Sequence, residues 1–219
     1  MDQKHQQQLN AIIDYATKAL KNDQTGHGLD HLKRVCALVN RLHTTCEFDL
    51  FIALASAYLH DVIDDKLFSN PKLELQKLQA FLTQIKLSSF EIKQITQIIT
   101  QMSFAHSLKK EVTLNLEGQI VQDADWLDAM GALGIMRAIY FGGAHHEKIY
   151  DKNMPPRQNM TKEEYRNLDN ETIINHFYEK LLLLKDKLNT KAAYELALHR
   201  HQFMLDFLAE FKAEWDGLC

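Results

Sequence analysis

Apolar residues recur at intervals of three and four along most of the chain, the spacing that lines one face of an α-helix. Residues 5–21 place Leu9, Ile12, Ile13, Ala16 and Leu20 in this way. Gly26 and Gly28 mark a turn, and a second helix is predicted over about 29–44. Its stripe is Leu32, Val35, Cys36, Val39 and Leu42, with His31 beside it at the helix start. A core helix follows at about 48–63. Asn70-Pro71 reads as a cap and first turn for a helix carrying Leu73, Leu75, Leu78, Phe81, Leu82 and Ile85. Ser88 or Ser89 caps the next, in which Ile92, Ile95, Ile98, Ile99 and Met102 face inward.

Ser103 to Asn115 is polar and irregular, and helices resume at 117–130 and 132–141. From Gly142 to Asn167 the periodicity fails, and Gly142-Gly143 with Pro155-Pro156 predicts one long loop, a lid or a disordered stretch. Two long helices, about 169–187 and 190–215, close the chain. The class is all-α: Gly is only 8 and Pro only 3 of 219 residues, and no alternating β-branched segment is bounded by hairpin signals. No repeat or linker separates two cores, so a single domain is expected over 1–219.

Net charge is −4, which gives no electrostatic reason to expect polymeric nucleic acid as a partner. Cys36, Cys46 and Cys219 are odd in number and lack C-x-x-C spacing, which fits reduced thiols. The polar N-terminus and the lack of any long apolar run predict a cytoplasmic protein without a membrane span.

The chemistry gathers at Ala53–Lys66, A-L-A-S-A-Y-L-H-D-V-I-D-D-K. On a helix, residues four apart lie nearly above one another, so Asp64 is expected to stack by His60 and Asp65 by Asp61. An imidazole and three carboxylates at the end of a buried helix repel one another unless a cation compensates, and a divalent metal is the simplest one. Gly26–Val35 and Val121–Ala129 also set metal-competent side chains in apolar helical patterns. If these helices pack side by side, His31, His60, Asp61 and one Asp of the 123–128 group converge. Asp123 and Asp125 point about 200° apart on a helix, and periodicity does not choose between them. The mixed N/O set suits Mn²⁺, Mg²⁺, Fe²⁺, Ni²⁺ or Zn²⁺. Asp64 and Asp65 are then candidates to orient the attacking water or move a proton.

The order His31, His60-Asp61, Asp125 resembles the H…HD…D signature of the HD-domain metal-dependent phosphohydrolases. More narrowly, Gly26–Val35, Leu59–Lys66, Ile120–Ala132 and Asn175–Leu181 are similar to motifs of their stand-alone bacterial branch. The resemblance implies a single-domain HD-fold helical bundle. Its core motif region is about 27–130, with the metal between central helices, and helices at 169–215 pack on it. It favours Asp125 over Asp123 as the third-helix ligand, because the ligand there is the Asp of an A-D-x-L element. It also implies one divalent metal, Mn²⁺ preferred, and a small phosphorylated substrate, preferably a nucleotide such as a nucleoside triphosphate cleaved to monophosphate and pyrophosphate. Relatives commonly carry Arg where Trp126 stands and a D-W pair where Gly28-Leu29 stands, which bears on substrate identity more than on metal binding.

Among lesser candidates, His27, Arg34 and Lys66 are placed to contact substrate phosphate. Against these stand a helix cap for His27, an ion pair with an Asp for Arg34 and a solvated amine for Lys66. Lys148, Lys152 and Arg157 stand in the long loop, where they could close over an anionic ligand. Phe203, Met204, Phe207, Leu208 and Phe211 form core or a homodimer face. The alternatives to a nucleotide hydrolase are a phosphomonoesterase or phosphodiesterase of the same superfamily, and a ligand-sensing or scaffold protein that keeps the fold without turnover.

Overall fold

The computed structural model describes residues 1–65, 67–108, 113–169 and 171–218. Lys66 and Cys219 lie outside these. The described residues are helical with no β-strand, only one isolated parallel bridge from Lys148 to Thr172. The chain divides into two compact units, Met1–Asp125 and Trp126–Cys219.

In the first unit, α1 (Gln3–Ala19), α2 (Leu29–His43) and α5 (Ser89–Gln101) pack around α3 (Leu50–Leu59). α3 has no polar face: Phe51 to Ala57 and Leu59 are all buried, as expected of a helix enclosed on every side. Asp49 caps it by accepting Ile52 N–H. Between α3 and α5 comes α4 (Pro71–Gln84), entered through Asn70 and Pro71 as the pattern predicts. Ser88, rather than Ser89, caps α5, in a capping box with Glu91. A short α6 (Phe104–Ser107) interrupts the irregular stretch. It leads to α7 (Leu116–Asp128), where Gly118 permits close approach, since a Cβ there would stand 3.2 Å from Ile98 Cγ1.

The core helix stops earlier than its composition suggests. α3 ends at Leu59, and His60–Ile63 is a 3₁₀ turn, after which Asp64 is extended (φ −68°, ψ 134°). The expected stacking of Asp64 on His60 and Asp65 on Asp61 is therefore not formed. The physical reason lies in His60, whose Nδ1–H takes the Ala57 carbonyl at 2.8 Å and competes for a last-turn acceptor.

In the second unit, α8 (Gly131–Ala144) packs on α10 (Ile173–Glu179) and α11 (Lys191–Trp215). Here the predicted 142–167 loop is corrected twice. α8 runs on through Gly142 and Gly143, and position 142 needs glycine because a Cβ there would stand 2.4 Å from Ile173 Cγ1. It closes where Glu147 N–H meets the Gly142 carbonyl and His146 takes φ 58°. α9 (Lys162–Arg166) then sits inside the segment, started by a Thr161–Glu164 capping box. The predicted 169–187 helix is in fact α10 followed by 3₁₀ turns at Leu181–Leu183 and Lys185–Lys187.

Arg157 ties this segment together. Its Nε donates to Glu179 at 3.0 Å, one terminal nitrogen stands 3.2 Å from Glu171, and the other donates to the Glu164 and Asn167 carbonyls. Lys148 pairs with Asp151 and Lys152 with Asp216. The three cations expected to close over an anion are thus engaged within the unit. Met204 and Leu208 are core, whereas Phe203 is 45% exposed.

Glu147 stands beside this network. Burial pushes its carboxyl up to about 7, Glu171 adds to the rise, and His145 and Arg157 oppose it. An acid raised in the folded state contributes stability below its ordinary value, and loses it as pH rises through about 7. Glu147→Gln should therefore melt higher than wild type at pH 8 and no higher at pH 5, measured by circular dichroism.

Candidate metal centre

Four donors meet in the first unit. α2 supplies His31 from its first turn, fully buried beside the Leu32–Val35–Val39 stripe. The 3₁₀ turn that follows α3 supplies His60 and Asp61, both buried. α7 supplies Asp125, whose side chain keeps 23% exposure and marks the side open to solvent.

His31 Nε2 lies 3.2 Å from His60 Nε2 and 3.4 Å from Asp125 Oδ1, and His60 Nε2 lies 3.7 Å from the same oxygen. Asp61 addresses the two imidazoles with different oxygens, Oδ1 at 3.3 Å from His60 and Oδ2 at 3.5 Å from His31. Because His60 Nδ1–H is committed to the Ala57 carbonyl, the Nε2 of the neutral ring is a lone pair aimed into the cluster. Burial raises the Asp61 carboxyl above the ordinary range; His60 and His31 draw it back, and Asp64 and Asp125 add to the rise.

These donors fit a divalent ion. Metal–ligand bonds of about 2.1 Å put neighbouring ligand atoms roughly 3.0–3.4 Å apart in octahedral or tetrahedral geometry; the spacings of 3.2, 3.3 and 3.4 Å fall in that range, and those of 3.5 and 3.7 Å lie just above it. Asp61 Oδ2 is buried and accepts no hydrogen bond among the described residues, a costly state that a cation would relieve. Among those residues, His31, His60 and Asp125 are the group whose ligand atoms all fall within 4.8 Å of one another.

Of the two α7 candidates, the structure brings Asp125 to the imidazoles, while Asp123 is fully buried. Asp64 is half-buried and close enough for its charge to act on Asp61, and Asp65 is exposed. Arg34 donates to Asp30 at 2.7 Å, one turn back on α2. His27 packs edge-on against the His31 ring, centroids 6.1 Å apart; it is not the α2 cap, a position held by Gly28. Two supports were not found from sequence. The first is the Ala57 carbonyl, which no side-chain pattern reports. The second is Gln122, whose amide donates to the Met102 carbonyl at 2.7 Å and holds α7 to the end of α5 one turn before Asp125; its place in the V-Q-D-A-D element was the available signal.

The HD domain family model matches residues 28–130, the span that holds all four donors. The YpgQ protein of Bacillus subtilis is 35% identical over 98% of this chain and 97% of its own. Among solved structures, a Lactobacillus plantarum protein is 46% identical with a TM-score of 0.90, covering 96% of this chain and 98% of its own. A Bacillus thuringiensis HD-superfamily hydrolase is 33% identical with a TM-score of 0.73, covering 97% and 98%. The chain belongs to the HD-domain family, whose members bind divalent metals, and it has the all-α fold of the HD-superfamily hydrolases.

Ionising the buried Asp61 carboxyl is a cost to the metal-free fold. The raised acid stabilises below the ordinary Asp value of 3.8, and this is lost as pH climbs through the folded value. Mn²⁺ at about 100 times its Kd should raise Tm by roughly 5–10 °C at pH 7.5. The gain should shrink at pH 5, where protons compete for the donors. Asp61→Asn should raise the metal-free Tm and abolish the response, as read by differential scanning fluorimetry.

Proposed function

We propose that this chain is a divalent-metal-dependent phosphohydrolase of the cytoplasm acting on nucleotides, with His31, His60, Asp61 and Asp125 holding the ion. The observation that carries the proposal is the convergence of His31, His60 and Asp125, their ligand atoms within 4.8 Å of one another, with Asp61 against both imidazoles and its Oδ2 unsatisfied. A divalent ion in that set, Mn²⁺ by preference, supplies an acidified water and a Lewis acid for a phosphoryl oxygen. The chain's own side chains do the remainder. Asp64, whose charge reaches Asp61, orients the attacking water and receives its proton. Asp65, exposed one residue on, passes that proton to solvent. His27 lies against His31 and meets the substrate phosphate, and Arg34, one turn after His31, adds positive charge nearby. Lys66 follows Asp65 in sequence and is assigned to the same anion. Support for a nucleotide comes from YpgQ of Bacillus subtilis, solved in complex with ADP, which is 32% identical with a TM-score of 0.76 and covers 96% of both chains.

A panel of nucleoside triphosphates, monophosphates, guanosine tetraphosphate and cyclic dinucleotides, incubated with Mn²⁺-loaded protein, tests this. Pyrophosphate release from a triphosphate is expected. Asp61→Ala should cut kcat/KM roughly a thousandfold or more, and Asp64→Asn should lower kcat about a hundredfold or more. Tight nucleotide binding without turnover under every metal would instead mark a sensor, and turnover confined to monoesters or cyclic diesters would move the substrate class.

A further inference from the structure

Just before α2 the chain turns through Asp23, Thr25 and His27, all half-buried. Asp23 Oδ1 accepts the Thr25 amide at 3.2 Å and the Thr25 hydroxyl at 2.6 Å, and Oδ2 accepts the His27 amide at 2.8 Å. Thr25 Oγ1 also lies 2.9 Å from His27 Nδ1.

The direction of that last bond follows by elimination. A hydroxyl has one proton to give, and Thr25 gives it to a carboxylate, which can only accept. Oγ1 therefore accepts from the ring, and His27 carries a proton on Nδ1. The two amide bonds to Asp23 already satisfy the turn, so the link through the hydroxyl adds nothing to backbone pairing. Its effect falls on the imidazole alone. His60 is treated alike, its Nδ1 tied to Ala57 O so that Nε2 is the working atom.

We propose that Asp23 and Thr25 are positioning residues for His27, pinning its Nδ1 proton and ring orientation so that Nε2 is the atom presented to the substrate phosphate. The proposal rests on the assignment of His27 to that phosphate made above. A phosphate oxygen only accepts, so the ring meets it as an imidazolium: Nε2 takes a proton from solvent as the phosphate binds and donates it, while Nδ1–H remains with Thr25.

The test pairs a spectroscopic signature with a binding constant. In protein labelled with ¹⁵N-histidine, long-range ¹H–¹⁵N spectra report which ring nitrogen holds the proton, and His27→Gln identifies the His27 signals. Wild type and Thr25→Ser should show a protonated Nδ1, and Thr25→Val should lose that signature. Calorimetric Kd for ADP with Mn²⁺ should weaken roughly tenfold in Thr25→Val, the effect of one hydrogen bond, and return in Thr25→Ser. An unprotonated Nδ1 in wild type, or weaker ADP binding in Thr25→Val with the ring signature unchanged, overturns the positioning role. If His27→Gln binds ADP as wild type does, the phosphate assignment of His27 falls and the inference with it. If His27→Gln weakens binding while Thr25→Val changes neither readout, only the positioning role falls. A wild-type protein that ignores ADP overturns the nucleotide assignment itself.

Discussion

Two imidazole nitrogens stand 3.2 Å apart with carboxylate oxygens at 3.3–3.7 Å from one or the other, and so crowded a set of metal-competent donors is costly without a cation among them. The His60 Nε2 lone pair points into the cluster, and Asp61 is buried with Oδ2 accepting no hydrogen bond among the described residues. Such a cluster persists only because the surrounding helices over-determine it. α3, buried all round, fixes the end of the helix that carries His60 and Asp61. The α2 stripe fixes His31, and the Gln122 bond to Met102 fixes α7 one turn from Asp125. The core contributes the rigidity that a pre-formed ion site requires, and the ion offsets the electrostatic cost in return.

The 3₁₀ turn at His60–Ile63 belongs to the same economy of space. An unbroken α-helix would have stacked Asp64 directly over His60 and crowded three carboxylates and an imidazole at one end. Tightening the turn and extending the backbone at Asp64 moves that carboxylate to a half-buried position, where it influences Asp61 yet still meets solvent. The second unit handles its charges differently. There Glu171 and Glu179 are buried around Arg157, so the carboxylates are neutralised from within the protein and make poor ligands for an external cation.

Helix type and most starts were written in local signals: Asp49, Asn70-Pro71 and Ser88 with Glu91 each announce a helix through groups a few residues apart. The Thr161–Glu164 box announced α9 equally well, but it was masked by the Pro and Gly residues around it. The four proposed ligands were also legible, because an acidic or imidazole group inside an apolar repeat stands out against the background of its own helix.

Tertiary contacts decided the rest. Gly142 and Gly143 read as loop because sequence shows glycine's conformational freedom; it does not show the Ile173 side chain, which needs the space a Cβ at Gly142 would fill. The end of α3, the tautomer of His60 and the selection of Asp125 over Asp123 depended on the Ala57 carbonyl, on backbone geometry and on helices brought together from distant parts of the chain. Periodicity records which face of a helix is apolar. It carries no record of which partner face, or which carbonyl, meets it.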